Sequence, residues 1–239
     1  MIESLGICGG AILPLQDFSA ATAGLFGNIR VPAALVAGAG ITIGYANASP
    51  PNDSDLPRVA MLKKLNALLA MACLSTELIA VLWSTIEVNK LYEISHAPTQ
   101  SLMELLKRDY ALSWLGTNIH FIVGLFMLMP MTAIFVWVNM GPGLGKVAVL
   151  GSVSTVCFMG SVVNHGVARG DGTTRFAGSF AALFVRYLKL LAAHASHNKM
   201  PLLGASLVSG LAALYSTFSH LAEEKNLVVA AIEDTKSAS

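Results

Sequence analysis

Charge is what this sequence most conspicuously lacks. Of 239 residues only 12% are Asp, Glu, Lys or Arg, where soluble domains carry about a quarter. The formal net charge of +1 excludes the basic footprint by which proteins hold nucleic acid. Three cysteines, Cys8, Cys73 and Cys157, are too few and too scattered for a disulfide framework. Cys73 and Cys157 fall in apolar runs, where a small buried role is expected. No HExxH, GxSxG, P-loop or CxxC spacing occurs, and the serines and threonines are scattered, so no soluble catalytic domain is indicated and the expectation is a non-enzyme. Basic residues are missing from the start as well. Met1 and Ile2 are followed by Glu3, and the first cation is Arg30, so the opening stretch does not read as a secretory signal.

What is present is hydrocarbon. The chain is 54% hydrophobic with a mean hydropathy of +0.64, a membrane composition. Thr117–Met140 runs 24 residues without a charge, long enough as a helix to cross a core of about 30 Å. Pro130 in its middle frees the carbonyl of Phe126 and predicts a kink. Leu65–Ile86 is a second span, anchored by Lys63, Lys64 and Lys90, and Lys146–His165 is another, with Gly151, Ser152, Ser154, Gly160 and Ser161 suited to close packing. Val31–Ala46 is apolar but only 16 residues long. Spanning and re-entrant readings both stay open for it. Pro32 suits its first turn, and Gly40 with Gly44 forms a GxxxG pair. Its GAGITIG run lacks the GxGxxG spacing of a dinucleotide loop. Met200–Leu221, uncharged but rich in small residues, is a candidate fifth span.

Between the spans lie a turn-rich linker (Asn47–Pro57), a tight turn at Gly141–Gly145 and a polar loop (Gly166–Thr174). Two amphipathic helices are expected at the interface, within Glu93–Gly116 and Phe176–His197. Tyr110 and Trp114 are aromatic anchors of the first. The fold class expected is all-α, an integral membrane bundle of four to five transmembrane helices plus interfacial helices. It divides into a loosely ordered arm (1–29), a helical membrane domain (30–222) and a polar tail (223–239). With five spans, nine Lys and Arg flank one face and six the other, which puts the amino terminus and both amphipathic helices on the cytoplasmic or stromal side.

Few residues offer chemistry. Glu77 sits near the midpoint of its span, where a carboxyl is costly and belongs to a cavity, a pair or a hydrogen-bonded neutral acid. A small carrier or channel would use it as its titrating group. Glu87, His120, Asn164 and His165 share a depth toward the nine-charge face. Such a layer is able to ligate a metal or tetrapyrrole; otherwise the histidines cap helix ends and hydrogen-bond at the interface. A haem- or quinone-associated protein would use His120 and His165. His194 and His197 share a helix face but lack partners for a metal site. His96 and His220 read as surface residues.

One stretch carries a likeness. Leu25–Gly40, LFGNIRVPAALVAGAG, resembles the FFGNIRxPAxLxAGA signature of a family of multi-pass membrane proteins of diatoms and related stramenopiles. The later run LYEI…SLMELLKRDYALSWLGTNIHF stands where that family has a short helix before its next span. The likeness covers residues 25–140 and departs from the pattern at Leu25 and at Arg108-Asp109-Tyr110. It implies an accessory subunit of the plastid thylakoid, beside photosystem II and fucoxanthin–chlorophyll antennae. Chlorophyll and carotenoid are then the expected cofactors, with His120, His165, Asn164 and Glu87 as candidate axial ligands. Membrane lipids and other photosystem or antenna subunits are the expected partners. The ExxxxRxA ligand pair of light-harvesting proteins is missing, so the implied role is bridging rather than harvesting.

Overall fold

The computed structural model describes residues 15–52, 54–168 and 178–196, with scattered helical residues between 202 and 219. Among them no strand forms, and a single antiparallel bridge joins Gln16 to Thr99. Helix α1 is Ser19–Ile41, continued by a π-helical turn over Thr42–Ala46; α2 is Pro57–Glu93, α3 Leu102–Asp109, α4 Ala111–Met140, α5 Pro142–Ala168 and α6 Phe180–Ser196. Among the described residues, four stretches are long and apolar enough to cross a membrane, of 28, 37, 30 and 25 residues. The chain is an all-α membrane bundle. Met200–Leu221 is described only in part, and the tail from 223 and the first residues of the arm lie outside the described residues.

The first span is longer than hydropathy predicts. Residues 19–29, expected in a loose arm, belong to α1, because Thr22, Ala23 and Phe26 are buried there. Phe26 meets Tyr110 and Trp114 edge-on, with ring centroids 6.2 and 5.5 Å apart. A tertiary aromatic contact supplies what local periodicity did not. Pro32 therefore lies inside α1 rather than in its first turn. The π turn that ends α1 is clamped to α2: Asn66 Nδ2 donates to the Ile43 carbonyl at 3.2 Å, and the Tyr45 hydroxyl donates to the Ala67 carbonyl at 3.3 Å.

Helix α2 is the shared wall. Its buried residues are Asn66, Ala70, Cys73, Glu77, Ala80, Ser84, Glu87 and Leu91, strictly alternating steps of four and three. That spacing keeps one stripe facing the same way along a helix. Nearly all of its members are small or polar, while Met71, Leu78, Leu82 and Ile86 point outward. Hydrocarbon solvates leucine as well as another helix does, so close approach of small residues is what holds helices together here. Glycines on the neighbours complete the fit. A Cβ at Gly44 of the π turn would overlap that of Ala70, and one at Gly40 would sit 3.2 Å from Cys73 Sγ. On α4, a Cβ at Gly124 would overlap the Glu77 carboxyl and one at Gly116 the Trp83 ring. These pairs run antiparallel and fix the register of α1 and α4 on α2.

Helix α4 starts at Ala111, before the expected Thr117, and continues through Pro130. Ser152 Oγ of α5 donates to the Met129 carbonyl beside that proline at 2.9 Å. The turn into α5 is one residue, not the five of Gly141–Gly145: Gly141 has φ 87°, and Pro142 begins the next helix. Pro at the first helical position has no N–H to leave unpaired, and Gly145 is already helical, its missing Cβ making room for Trp137. Helix α5 otherwise stays peripheral; its apolar window buries none of its residues. Gly151, expected in close packing, has nothing within 4 Å of a Cβ position, and Gly160 only Phe126 at 4.0 Å. Cys157 is likewise exposed, whereas Cys73 is buried.

Helix α3 is short and capped by Ser101, whose Oγ accepts from the Glu104 N–H at 3.1 Å. Its Leu105 and Leu106 close a cluster with Ala23, Phe26, Leu91 and Tyr110. Helix α6 does more than lie on the surface. Leu183, Tyr187 and Leu191 bury against Leu112, Leu115 and Ile119 of α4.

These contacts separate the glycines. Gly44→Ala should lower stability in detergent by about 1–3 kcal/mol through overpacking against Ala70. Gly151→Ala should be neutral, or stabilising by up to about 1 kcal/mol from helix propensity. Thermal unfolding of the two purified variants reads the difference.

Candidate functional site

Two polar regions deserve description, one at the bilayer centre and one at its edge. At the centre, Glu77 is fully buried, and neither carboxyl oxygen has a hydrogen-bond partner among the described residues. Its surroundings are small: Gly124 faces it, and Cys73 lies one turn away on α2 with Sγ 3.4 Å from the Gly124 carbonyl. Thr117 on α4 and Thr22 on α1 also bury hydroxyls without partners among the described residues. Buried polar atoms in that condition cost stability and call for a reason.

At the edge, polar side chains pair off along the seam where α2 ends and α4 begins. Ser113 Oγ donates to Glu87 Oε1 at 2.7 Å, and Lys90 Nζ reaches the same oxygen at 3.2 Å. His96 Nε2 pairs with the Tyr110 hydroxyl, and its Nδ1 lies 3.4 Å from Ser19 Oγ. His96, expected as a bare surface residue, thus links the start of α1 to the α3–α4 corner. Arg108 forks onto Asp109 through Nε and Nη2 at 2.9 and 2.8 Å, and Nη2 also donates to the Ala97 carbonyl at 3.1 Å. The guanidinium holds the Asp109 carboxyl below its ordinary range. Burial, reinforced by the charges of Glu87 and Asp109, pushes the Tyr110 hydroxyl up to about 12.

Three of the four candidate pigment ligands have separate partners. Glu87 is occupied by Ser113 and Lys90. His120 Nε2 lies 3.0 Å from the Tyr187 hydroxyl of α6, with Trp83 and Tyr187 ringing the imidazole at 6.5 and 5.8 Å. Asn164 Oδ1 accepts from the Phe180 N–H at 3.1 Å, in the first turn of α6. His120 and Asn164 therefore both hold α6 in place. His165 is exposed near the end of α5. No hydrogen bond among the described residues joins two of the four. His194 Nδ1 pairs with the Leu190 carbonyl of its own helix at 2.8 Å; His197 and His220 lie outside the described residues. No group of three metal-ligating side chains forms among the described residues.

Sequence reasoning missed Ser113 and Tyr187, which read as one more serine and one more aromatic. The signal available was weak: each stands on an amphipathic stretch at the depth of its partner.

Comparison with protein-family models finds no match to this chain, and comparisons with curated proteins and with solved structures find none either.

The α4–α6 contact is measurable. Tyr187→Phe and His120→Phe should each cost about 0.5–1.5 kcal/mol and speed amide exchange across 180–196. The double variant should be no worse than either single one, because both remove one interaction. Hydrogen exchange with mass spectrometry checks this.

Proposed function

We propose that this chain is a non-enzymatic accessory subunit of a thylakoid photosystem–antenna assembly, bridging neighbouring membrane subunits and holding a few pigments. One observation carries the bridging role. Helix α5 presents Gly151, Ser154, Phe158, Ser161 and His165, all exposed, at alternating steps of three and four. This is the spacing of the buried α2 stripe, with Gly or Ser at 151, 154 and 161, but turned outward. A face meant only for lipid gains nothing from glycine and serine; a face meant for another helix gains close approach. The likeness of Leu25–Gly40 to the stramenopile signature supports the photosynthetic setting. His165 on the same stripe is the best-placed axial ligand for a chlorophyll shared with a neighbour.

Gentle solubilisation, native separation, absorption spectra and mass spectrometry test this together. Co-migration with photosystem core and antenna subunits is the expected result. Gly151→Leu with Ser154→Leu should cut co-migration about tenfold, the effect of about 1.4 kcal/mol, while helix content and unfolding temperature stay unchanged. Migration as a small colourless oligomer overturns the proposal.

Glu77 favours a second reading, because it is a buried carboxyl without a hydrogen-bond partner among the described residues, and intramembrane acids mark ion paths. Reconstituted vesicles decide between the two. A carrier shows ion-coupled flux that Glu77→Gln abolishes, whereas the subunit proposed here shows none and assembles normally with either residue.

A further inference from the structure

A cleft of about 910 Å³ opens at the edge seam, between the end of α2, the corner of α3 with α4, and α6. Its lining divides by chemistry. Lys90, Lys107 and Arg108 supply cationic heads, and Ile94, Leu112 and Leu190 supply apolar surface. The two carboxylates in the wall, Glu87 and Asp109, already hold partners of their own. Glu87 takes Ser113 and Lys90, and Asp109 takes the Arg108 fork. Donors remain after those bonds are counted. An ammonium carries three N–H groups, and Lys90, about half exposed, spends one on Glu87. A guanidinium carries five, and the bonds described for Arg108 use Nε and Nη2, leaving both N–H groups of Nη1.

The position of this cleft selects its occupant. It lies where α2 leaves the hydrocarbon and α4 enters it, so lipid headgroups are the molecules at that depth. A free anion would satisfy the cations but would leave Ile94, Leu112 and Leu190 uncovered. An anionic lipid satisfies both, its phosphate on the cations and the top of its acyl chains on the apolar wall. Basic pockets between transmembrane helices hold anionic headgroups on this principle. We infer that the cleft is a binding site for one anionic phospholipid, its headgroup phosphate held by Lys90, Lys107 and Arg108. This inference does not depend on the photosystem reading.

The test uses the full chain in neutral detergent, with phosphatidylglycerol, phosphatidylcholine or inorganic phosphate as probes and native mass spectrometry as the readout. One phosphatidylglycerol per chain should be retained in preference to phosphatidylcholine. Lys90→Gln with Lys107→Gln should weaken that retention about thirtyfold, since each lysine near an anionic lipid is worth about 1 kcal/mol and tenfold is about 1.4. Lys90→Arg with Lys107→Arg, which keeps both charges, should retain the lipid. Circular dichroism guards against misfolding: a Gln variant that loses lipid must keep its helix content, and the Arg variant identifies charge as the cause. Equal retention of the two lipids, or undiminished retention by the Gln variant, overturns the site. Displacement of the lipid by millimolar inorganic phosphate overturns the lipid assignment in favour of a free-anion site.

Discussion

Close approach of helix backbones in hydrocarbon is the constraint on which this structure rests. Without water, apolar side chains gain nothing by leaving lipid for one another, so association depends on contact distance and on satisfied polar groups. The stripe from Asn66 to Leu91 on α2 meets that requirement with Ala, Cys and Ser, and Gly40, Gly44, Gly116 and Gly124 meet it from the other side. Substituting bulk at those points separates the helices; substituting it at Leu78 or Leu82 changes only what the lipid touches. Along α2, Met71, Leu78, Leu82 and Ile86 face outward, while Phe26, Leu105, Leu106, Leu115 and Ile119 of the neighbouring helices are buried.

The same stripe changes character along its length. In the middle it carries Glu77 without a partner among the described residues, and at the edge it carries Glu87 with two. Depth explains the contrast. Near the interface, Lys90 and Ser113 are within reach, and water and headgroups relax the demand for perfect pairing. At the centre a Cβ at Gly124 would overlap the carboxyl, so only glycine fits there if the helices are to touch. The Gly124 contact and the isolation of Glu77 are therefore one fact. Whatever retains an acid there acts against stability.

The edge of the bundle is where its parts are tied together. Phe26, Leu91, Leu105 and Tyr110 join three helices in one cluster, and His96 bridges Ser19 to Tyr110. Helix α6 is held through His120 and Asn164 from two spans at once. Polar side chains that invite a cofactor reading are thus engaged in positioning an interfacial helix. The exposed stripe of α5 remains the face with the most to gain from a neighbour.

Much of the architecture was legible in the order of residues. Spans two, three and four follow from apolar length, because backbone groups in hydrocarbon have no partner but the helix itself. The interfacial helices follow from Leu102, Leu105 and Leu106 set opposite Glu104, Lys107 and Arg108. Gly40 and Gly44 announced a close contact and made one. What the tertiary structure alone decided is which faces meet. Residues 19–29 are helical because Phe26 finds Tyr110 and Trp114 more than eighty positions later. Gly151 has the composition of a packing residue yet faces outward, since composition records what a face tolerates and not what stands before it. Glu87, His120 and Asn164 share a depth in the sequence but take different partners: Ser113 and Lys90, Tyr187, and the Phe180 N–H. Depth is a property of one helix, and rotation about its axis is fixed only by its neighbours.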